Sequence, residues 1–142
     1  MFVRDFTVKD ITAINELLNK ELGKCVEANK LKSTISNMID DGNYKIFVAE
    51  INGNIVGFTG VHFGLAFEID GKVMRIIALA VKEEYQHRGI GTMLIKKAEE
   101  CAKENGASIV GVNSGLQRLA AHSFYENQGF FKKGYSFIKI LN

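Results

Sequence analysis

The stretch Leu79-Ala80-Val81-Lys82-Glu83-Glu84-Tyr85-Gln86-His87-Arg88-Gly89-Ile90-Gly91-Thr92 decides the fold of this chain. An apolar run leads into a short polar loop, and Gly89 and Gly91 stand where a long helical pattern begins. The first N–H groups of a helix have no intrahelical partner and carry partial positive charge. Glycine adds no side chain that would keep an anion from these donors. The stretch therefore predicts a strand, a loop and a helix that bind phosphate or pyrophosphate largely through backbone.

Two other phosphate-binding motifs do not fit this loop. A nucleotide-binding P-loop needs Gly-Lys-Ser/Thr, whereas Gly91 is followed by Thr92 and Met93. A dinucleotide fingerprint needs a third glycine three residues on, where this chain has Leu94. A nucleotide-binding protein is therefore disfavoured.

The pattern that does fit, Gln-x-x-Gly-x-Gly ending at Gly91, resembles the acetyl-CoA loop of the GCN5-related N-acetyltransferase family. A second motif, Arg118-Leu119-Ala120-Ala121-His122-Ser123-Phe124-Tyr125-Glu126-Asn127-Gln128-Gly129-Phe130, resembles the family's final helix. In the family that helix carries a tyrosine facing the CoA sulfur and ends in Gly-Phe. Two motifs in the right order are more specific than either alone. The resemblance covers nearly the whole chain, although the N-terminal third matches only in pattern.

The composition is that of one ordinary globular domain, residues 1–142. A formal net charge of +2, with no basic run, gives no reason to expect nucleic acid as a partner. The sequence shows no signal peptide and no apolar span of membrane length, which predicts a cytoplasmic protein that does not bind a membrane. Cys25 and Cys101 lack metal-ligand spacing, so no metal site is predicted.

Hydrophobic periodicity predicts an α/β fold with a mixed central sheet in the order β-α-α-β-β-β-α-β-α-β-β. The predicted strands are 1–7, 44–51, 55–67, 72–82, 107–113, 130–132 and 135–141, and the predicted helices are 8–22, 28–40, 90–104 and 118–128. The strand–helix–strand unit after residue 72 implies two parallel neighbours. The family resemblance implies that these two central strands splay apart and open a slot for pantetheine.

Direct attack of an amine on a thioester needs an oxyanion donor, a proton donor for sulfur and a route for the amine's protons. The resemblance assigns the first to the backbone N–H of Leu79 or Val81. Tyr125 is the candidate general acid, because a phenol with a pKa near ~10 stays protonated at neutral pH. The alternative is a tyrosine that anchors its helix in the core. Some relatives place a glutamate where this chain has Ile77, so His62, acting through water, is the candidate base; its alternative is a structural histidine.

The remaining candidates are predicted to contact acetyl-CoA, the cosubstrate that the resemblance implies. Asn113 is predicted to hydrogen-bond a pantetheine amide, small Ala121 to admit the cofactor to its helix face, and Thr92 to offer a hydroxyl to phosphate. Family members often carry asparagine seven residues before the tyrosine, where this chain has Arg118. The full predicted set is Leu79, Ala80, Val81, Gln86, His87, Arg88, Gly89, Ile90, Gly91, Thr92, Asn113, Ala121, Phe124 and Tyr125.

These features predict an enzyme that transfers the acetyl group of acetyl-CoA to a primary amine. The ending Gly-Tyr-Ser-Phe-Ile-Lys resembles the branch that acetylates small molecules such as aminoglycosides and aminoalkylphosphonates. The alternatives are a protein or peptide N-acetyltransferase and an acyl-CoA-binding sensor without turnover. In the family, the helical region that contains Glu16, Glu21, Lys24 and Glu27 lines the acceptor pocket. A homodimer is possible, because family members often pair.

Overall fold

One five-stranded sheet organises residues 1–141, the part of the chain that this computed structural model describes. None of the described helices is both long and apolar enough to cross a bilayer. The strands are β1 (Phe2–Asp5), β2 (Tyr44–Ile51), β3 (Asn54–Gly64), β4 (Lys72–Val81) and β5 (Ala107–Val112), in that order across the sheet. The helices are α1 (Ile11–Glu21), α2 (Ala28–Asp41), α3 (Ile90–Glu104) and α4 (Leu119–Asn127), and 3₁₀ turns occupy Val8–Asp10 and Glu83–Tyr85.

The sheet is antiparallel from β1 to β4, and β5 joins β4 in parallel. The tight hairpin between β2 and β3 places Asn52 at φ 49° and Gly53 at φ 80°. Two consecutive left-handed residues match the right-handed twist of the strands that they connect. The predicted element order is therefore confirmed from β1 to α4, including the parallel pair on either side of α3.

Both faces of the sheet are covered by helices. On one face, α3 and α4 pack on a buried cluster that includes Phe47, Val61, Met74, Ile95 and Tyr125. On the other face, α1 and α2 pack on a second cluster formed by Ile14, Leu17, Leu31, Ile35, Val48, Phe58 and Ala80. Burial on two faces explains why the central strands are almost continuously apolar in sequence.

The two predicted closing strands, 130–132 and 135–141, do not form, and this part of the prediction is wrong. No backbone hydrogen bond among the described residues involves 131–141. Side chains in this tail remain exposed, including Phe137 at 91% and Ile138 at 89%. A hairpin with one three-residue strand is marginally stable unless it packs on something else. β3 also ends at Gly64, three residues before the predicted end.

A partly buried ion pair attaches β1 to the start of α1. The Asp10 carboxylate accepts hydrogen bonds from the Arg4 guanidinium at 2.8 and 3.0 Å and from the Thr7 backbone N–H at 2.7 Å. The bonds from Arg4 are the main cause that lowers the pKa of Asp10 below its usual range, and burial acts in the opposite direction. A lowered pKa in the folded state stabilises the protein above the unfolded pKa of about 3.9. This stabilisation is lost as the pH falls through the lower folded value.

We expect Asp10→Asn to lower the free energy of unfolding at pH 7 by about 2–4 kcal/mol, because Arg4 loses its charged partner. Urea unfolding at pH 7 and pH 3 measures this difference, which should shrink at the lower pH. Glu50→Gln is the matched control, since Glu50 contacts Arg4 through one oxygen and has a side chain 20% exposed. We expect that control to cost less than about 1 kcal/mol. Equal losses in the two variants would contradict the assignment.

Candidate active site

A slot opens in the sheet between β4 and β5. The parallel pairing of these strands ends at Ile76 and Val112, whereas β4 continues to Val81. Residues 77–81 of β4 therefore present an outer edge with no strand partner within the described chain. This loss of pairing along β4 agrees with the expectation that the central parallel strands splay apart.

The backbone N–H groups of Leu79 and Val81 face this slot. The Lys82 N–H donates to the Val56 carbonyl of β3 at 2.8 Å, and peptide groups along a strand alternate in direction. The N–H groups of Leu79 and Val81 must then point away from β3. The bond from Gln86 supports this orientation, because its Nε2 donates to the Val81 carbonyl at 2.9 Å from the outer side. The N–H and the carbonyl of one strand residue point to the same side. Both predicted oxyanion donors thus lie on the open edge, while Gln86 holds the end of β4.

The loop after β4 exposes backbone donors at the start of α3. His87 lies at φ 63° and Gly89, the residue before the helix, at φ 82°. A left-handed residue next to a right-handed one is the arrangement of a backbone anion site, and Gly89 is followed by the first helical residue, Ile90. No atom lies within 4 Å of the position that a Gly89 Cβ would occupy. The donors at this end of α3 are therefore accessible.

Gly91 has a different environment from Gly89. A Cβ at Gly91 would lie 3.0 Å from Cζ of Phe124, so its missing side chain makes room for the α4 ring. A second link joins the same two helices, because Gln128 Nε2 donates to Thr92 Oγ1 at 2.8 Å. With a lone pair of its oxygen occupied, the Thr92 hydroxyl keeps its proton available for an anion. Packing against α4 therefore helps to shape the first turn of α3.

Tyr125 lies in the core, with only 8% of its surface exposed, and its ring meets those of Phe124 and Phe130 edge to face. Its hydroxyl makes no hydrogen bond with another described residue. Among the described residues, Ser114 Oγ alone is a fully buried side-chain polar atom without a hydrogen-bond partner. The Tyr125 hydroxyl also has no partner but is not such an atom, so it must retain contact with solvent. Burial raises the pKa of Tyr125, and Arg118 opposes this effect. The ring is anchored, but the phenol is protonated and free to bond a ligand.

The structure brings several predicted residues together on the α3–α4 face. Leu79, Ala121 and Phe124 all pack against the cluster that contains Tyr125. Asn113 follows directly on the last paired residue of β5, so it stands at the mouth of the slot.

Four predicted contact residues have surroundings that limit what they offer a cofactor. The side chains of Ala80 and Ile90 are buried in the core, which leaves only their backbone groups. The Arg88 guanidinium lies 5.3 Å from the centre of the Tyr85 ring. His87 is exposed and makes no side-chain hydrogen bond within the described chain.

His62 does not lie with Tyr125. Its β3 neighbours Val61 and Phe63 face the cluster that contains Tyr125, so the His62 side chain points to the opposite face. There its ring lies 4.6 Å from that of Tyr44. Three residues of β3, about 10 Å, separate His62 from Thr59, the partner of Leu79. Any proton transfer between His62 and the slot must therefore pass through water.

Sequence reasoning missed three residues near the site. They are Gln128, which bonds Thr92; Ser114, whose buried hydroxyl follows Asn113; and Thr59, whose hydroxyl donates to the Ala78 carbonyl at 2.9 Å. Thr59 carried a usable signal, because it is a lone hydroxyl within the apolar part of β3. Gln128 and Ser114 had none, since the Gln128 bond depends on how α4 approaches α3 and the burial of the Ser114 hydroxyl depends on packing around the end of β5.

Comparison with known proteins identifies the family. A model described as the acetyltransferase (GNAT) family matches residues 11–130. The chain belongs to this family and is an acetyl-CoA-dependent N-acetyltransferase. The family resemblance drawn from the two motifs is therefore confirmed, as is acetyl-CoA as the acetyl donor.

Individual relatives differ in what they acetylate. An uncharacterized N-acetyltransferase of Methanocaldococcus jannaschii is 39% identical over 88 residues, which are 61% of this chain and 39% of that protein. The aminoalkylphosphonate N-acetyltransferase of Salmonella typhimurium is 24% identical over 98% of this chain and 90% of its own length. A solved aminoglycoside acetyltransferase from an uncultured soil metagenomic sample has a TM-score of 0.82 at 19% identity and covers 99% of this chain and 96% of that one. That likeness shows the fold alone.

Proposed function

We propose that this protein transfers the acetyl group of acetyl-CoA directly to the primary amine of a small molecule. The observation that carries the proposal is the open outer edge of β4. Leu79 and Val81 point their N–H groups into the slot, the glycine loop follows at one end, and Tyr125 lies in the cluster against which Leu79 packs. Pantetheine would pair with this edge as an extra strand while the pyrophosphate meets the start of α3.

The proposed reaction needs no covalent enzyme intermediate. The amine lone pair adds to the thioester carbonyl carbon, and the carbonyl electron pair moves to oxygen. The N–H of Leu79 or Val81 stabilises this oxyanion. Collapse re-forms the carbonyl and breaks the carbon–sulfur bond, and the leaving thiolate takes a proton from Tyr125. The excess proton of the product nitrogen passes to solvent, which also returns a proton to Tyr125.

His62 is the proposed side chain at the end of that solvent path. Ile77, at the position where some relatives carry a glutamate, has no group that accepts a proton and is 47% exposed. His62 lies on the sheet face opposite Tyr125, so a water chain must connect it to the amine. We expect His62→Gln to lower kcat less than Tyr125→Phe does, because bulk water can replace a remote relay.

One feature supports a small acceptor over a protein. The aminoalkylphosphonate N-acetyltransferase is similar over nearly the whole of both chains. In the region that the family resemblance associates with the acceptor, an open hollow of about 590 Å³ lies at the α1–α2 loop, and its lining includes Lys24 and Glu27.

Thiol release from acetyl-CoA against a panel of amines tests the proposal. The panel contains polyamines, aminoglycosides, aminoalkylphosphonates, amino acids and peptides with free N-termini. We expect release with one class of small amine and acetylation of one nitrogen by mass spectrometry. Release with peptides alone would favour the protein N-acetyltransferase. Tight acetyl-CoA binding without release from any amine would favour the sensor.

We also propose a homodimer. The tail exposes large apolar side chains that a second copy would cover, namely Phe131, Tyr135, Phe137, Ile138, Ile140 and Leu141. At roughly 150 Å² each, the three aromatic side chains alone offer about 450 Å² per chain, and the three aliphatic ones bring the patch nearer to the roughly 800 Å² of a standard interface. Light scattering is expected to give twice the chain mass, and the double variant Phe137→Lys/Ile138→Lys a monomer. A monomeric wild type at 100 µM would contradict the dimer.

The proposed location is the cytoplasm. Cys25 is exposed and Cys101 is buried, and neither forms a disulfide within the described chain. Free thiols are typical of a reducing compartment. Cell fractionation tests this proposal, and recovery of the protein outside the cytoplasm would contradict it.

A further inference from the structure

A β-bulge lies in β4 two residues before Leu79, one of the two proposed oxyanion donors. Gly60 of β3 pairs with Ala78, but the next residue, Val61, pairs with Ile76, which leaves Ile77 as an extra residue on β4. A bulge disrupts the ladder locally and redirects the residues that follow it.

The bulge changes which β4 side chains face which layer. Before it, Met74 and Ile76 face α3 and α4. After it, Ala78 and Ala80 face α1 and α2, so Leu79 takes the α3–α4 face. Without the extra residue Leu79 would point to the opposite layer.

Thr59 bonds the backbone at this bulge. It is 0% exposed, and its Oγ1 donates to the Ala78 carbonyl at 2.9 Å. Valine has nearly the same shape and would bury without a polar atom, so packing alone does not require a hydroxyl here. The hydroxyl anchors one carbonyl at the point where the ladder is disrupted.

That anchor reinforces the direction that the strand already gives to the following N–H. The Ala78 carbonyl and the Leu79 N–H belong to one trans peptide group, in which the two bonds point in opposite directions. Because Thr59 lies on β3 and holds the carbonyl, the Leu79 N–H must point away from β3 and into the slot. The hydrogen bond also polarises the peptide and makes its N–H a better donor.

We propose that Thr59 is a positioning residue for acetyl transfer, and that its hydroxyl holds the Ala78–Leu79 peptide with the Leu79 N–H aimed at the oxyanion. The inference rests on the proposed function of the slot. The proposal also favours Leu79 over Val81 as the oxyanion donor. Thr59 bonds the peptide that contains the Leu79 N–H and not the one that contains the Val81 N–H. A donor aimed before the substrate arrives needs no reorganisation in the transition state.

Two matched pairs of proteins test the role of the hydroxyl. Wild type and Thr59→Val differ in a hydroxyl at nearly constant shape, and Thr59→Ser and Thr59→Ala differ in a hydroxyl alone. We expect kcat to fall ten- to hundredfold from Thr to Val and from Ser to Ala, since loss of a whole oxyanion donor costs about 10²–10³. The KM for acetyl-CoA should change less than about threefold, because the ground-state carbonyl depends little on this donor. Thermal unfolding of the four proteins checks that each one is folded.

Several results would overturn the inference. One is an unchanged kcat in both Thr59→Val and Thr59→Ala; another is an equal loss in Thr59→Ser and Thr59→Ala. A rise in KM for acetyl-CoA at constant kcat would show a role in binding alone.

Failure of the proposed function looks different, because wild type itself would then release no thiol with any amine. In that case the amide proton of Leu79, followed by NMR during acetyl-CoA titration, supplies the test. A downfield shift in wild type that is lost in Thr59→Val supports positioning. The same response in both proteins, or none in wild type, overturns it.

Discussion

Replacing Gly91 with aspartate is expected to weaken acetyl-CoA binding at least a hundredfold. A carboxylate in the first turn of α3 would stand among the N–H groups that we propose for the pyrophosphate. Repulsion between two like charges about 4 Å apart near a protein surface is worth about 3–4 kcal/mol. The Cβ adds a steric effect, since it would lie 3.0 Å from the Phe124 ring. Calorimetric titration with acetyl-CoA measures the loss.

Two further variants separate charge from packing. Gly91→Asn has the same size without the charge, and Gly91→Ala introduces the contact with Phe124 alone. We expect affinity to fall in the order Ala, Asn, Asp, with the largest step between Asn and Asp. An acidic residue in the first turn of a helix is favourable for the helix itself, so unfolding of the variant should not account for the loss. Wild-type affinity in Gly91→Asp would refute the phosphate site.

Replacing Tyr125 with phenylalanine is expected to lower kcat about a hundredfold and to leave the KM for acetyl-CoA within about threefold. General acid catalysis contributes about 10²–10⁴ to a rate. The phenylalanine ring keeps the edge-to-face contacts with Phe124 and Phe130, so the core should remain packed. Steady-state kinetics with an amine identified in the panel gives the two constants separately.

Tyr135→Phe is the matched control for Tyr125→Phe, because Tyr135 is 74% exposed in the tail. We expect that control to retain full activity. If Tyr125→Phe is also fully active, the proton for sulfur comes from another group or from water. If KM rises while kcat stays constant, the hydroxyl serves binding and not proton transfer.

Burial of Tyr125 also has a consequence for pH dependence. Its raised pKa keeps the phenol protonated beyond the ordinary value of about 10. Because the folded protein retains a proton that the unfolded chain loses above that pH, Tyr125 reduces stability only in alkaline solution. If the pH profile of kcat shows an inflection below about pH 10, we expect Tyr125→Phe to show the same inflection.

Much of this molecule can be predicted from local sequence. The glycine loop and the order of elements follow from turn residues and from periods of two and 3.6 residues. The motif of α4 supplied Tyr125, although its role depended on resemblance to a family. The tail was predicted as strands because its residues favour strands, but no partner in the described chain covers it. A local sequence pattern shows which secondary structure a segment favours. It does not show whether a second segment is available to pair with it.

The sequence by itself determined the family and predicted the phosphate loop and the candidate acid, because each depends on residue types at short and constant spacing. Only the tertiary structure decided how the groups of the site are aimed. The bulge at Ile77, the bond from Thr59 to Ala78 and the contact of Phe124 with Gly91 join residues distant in sequence. Such contacts depend on the register of strands and the approach of helices, which arise when the whole core packs. A single sequence carries no short-range pattern from which those distances can be derived.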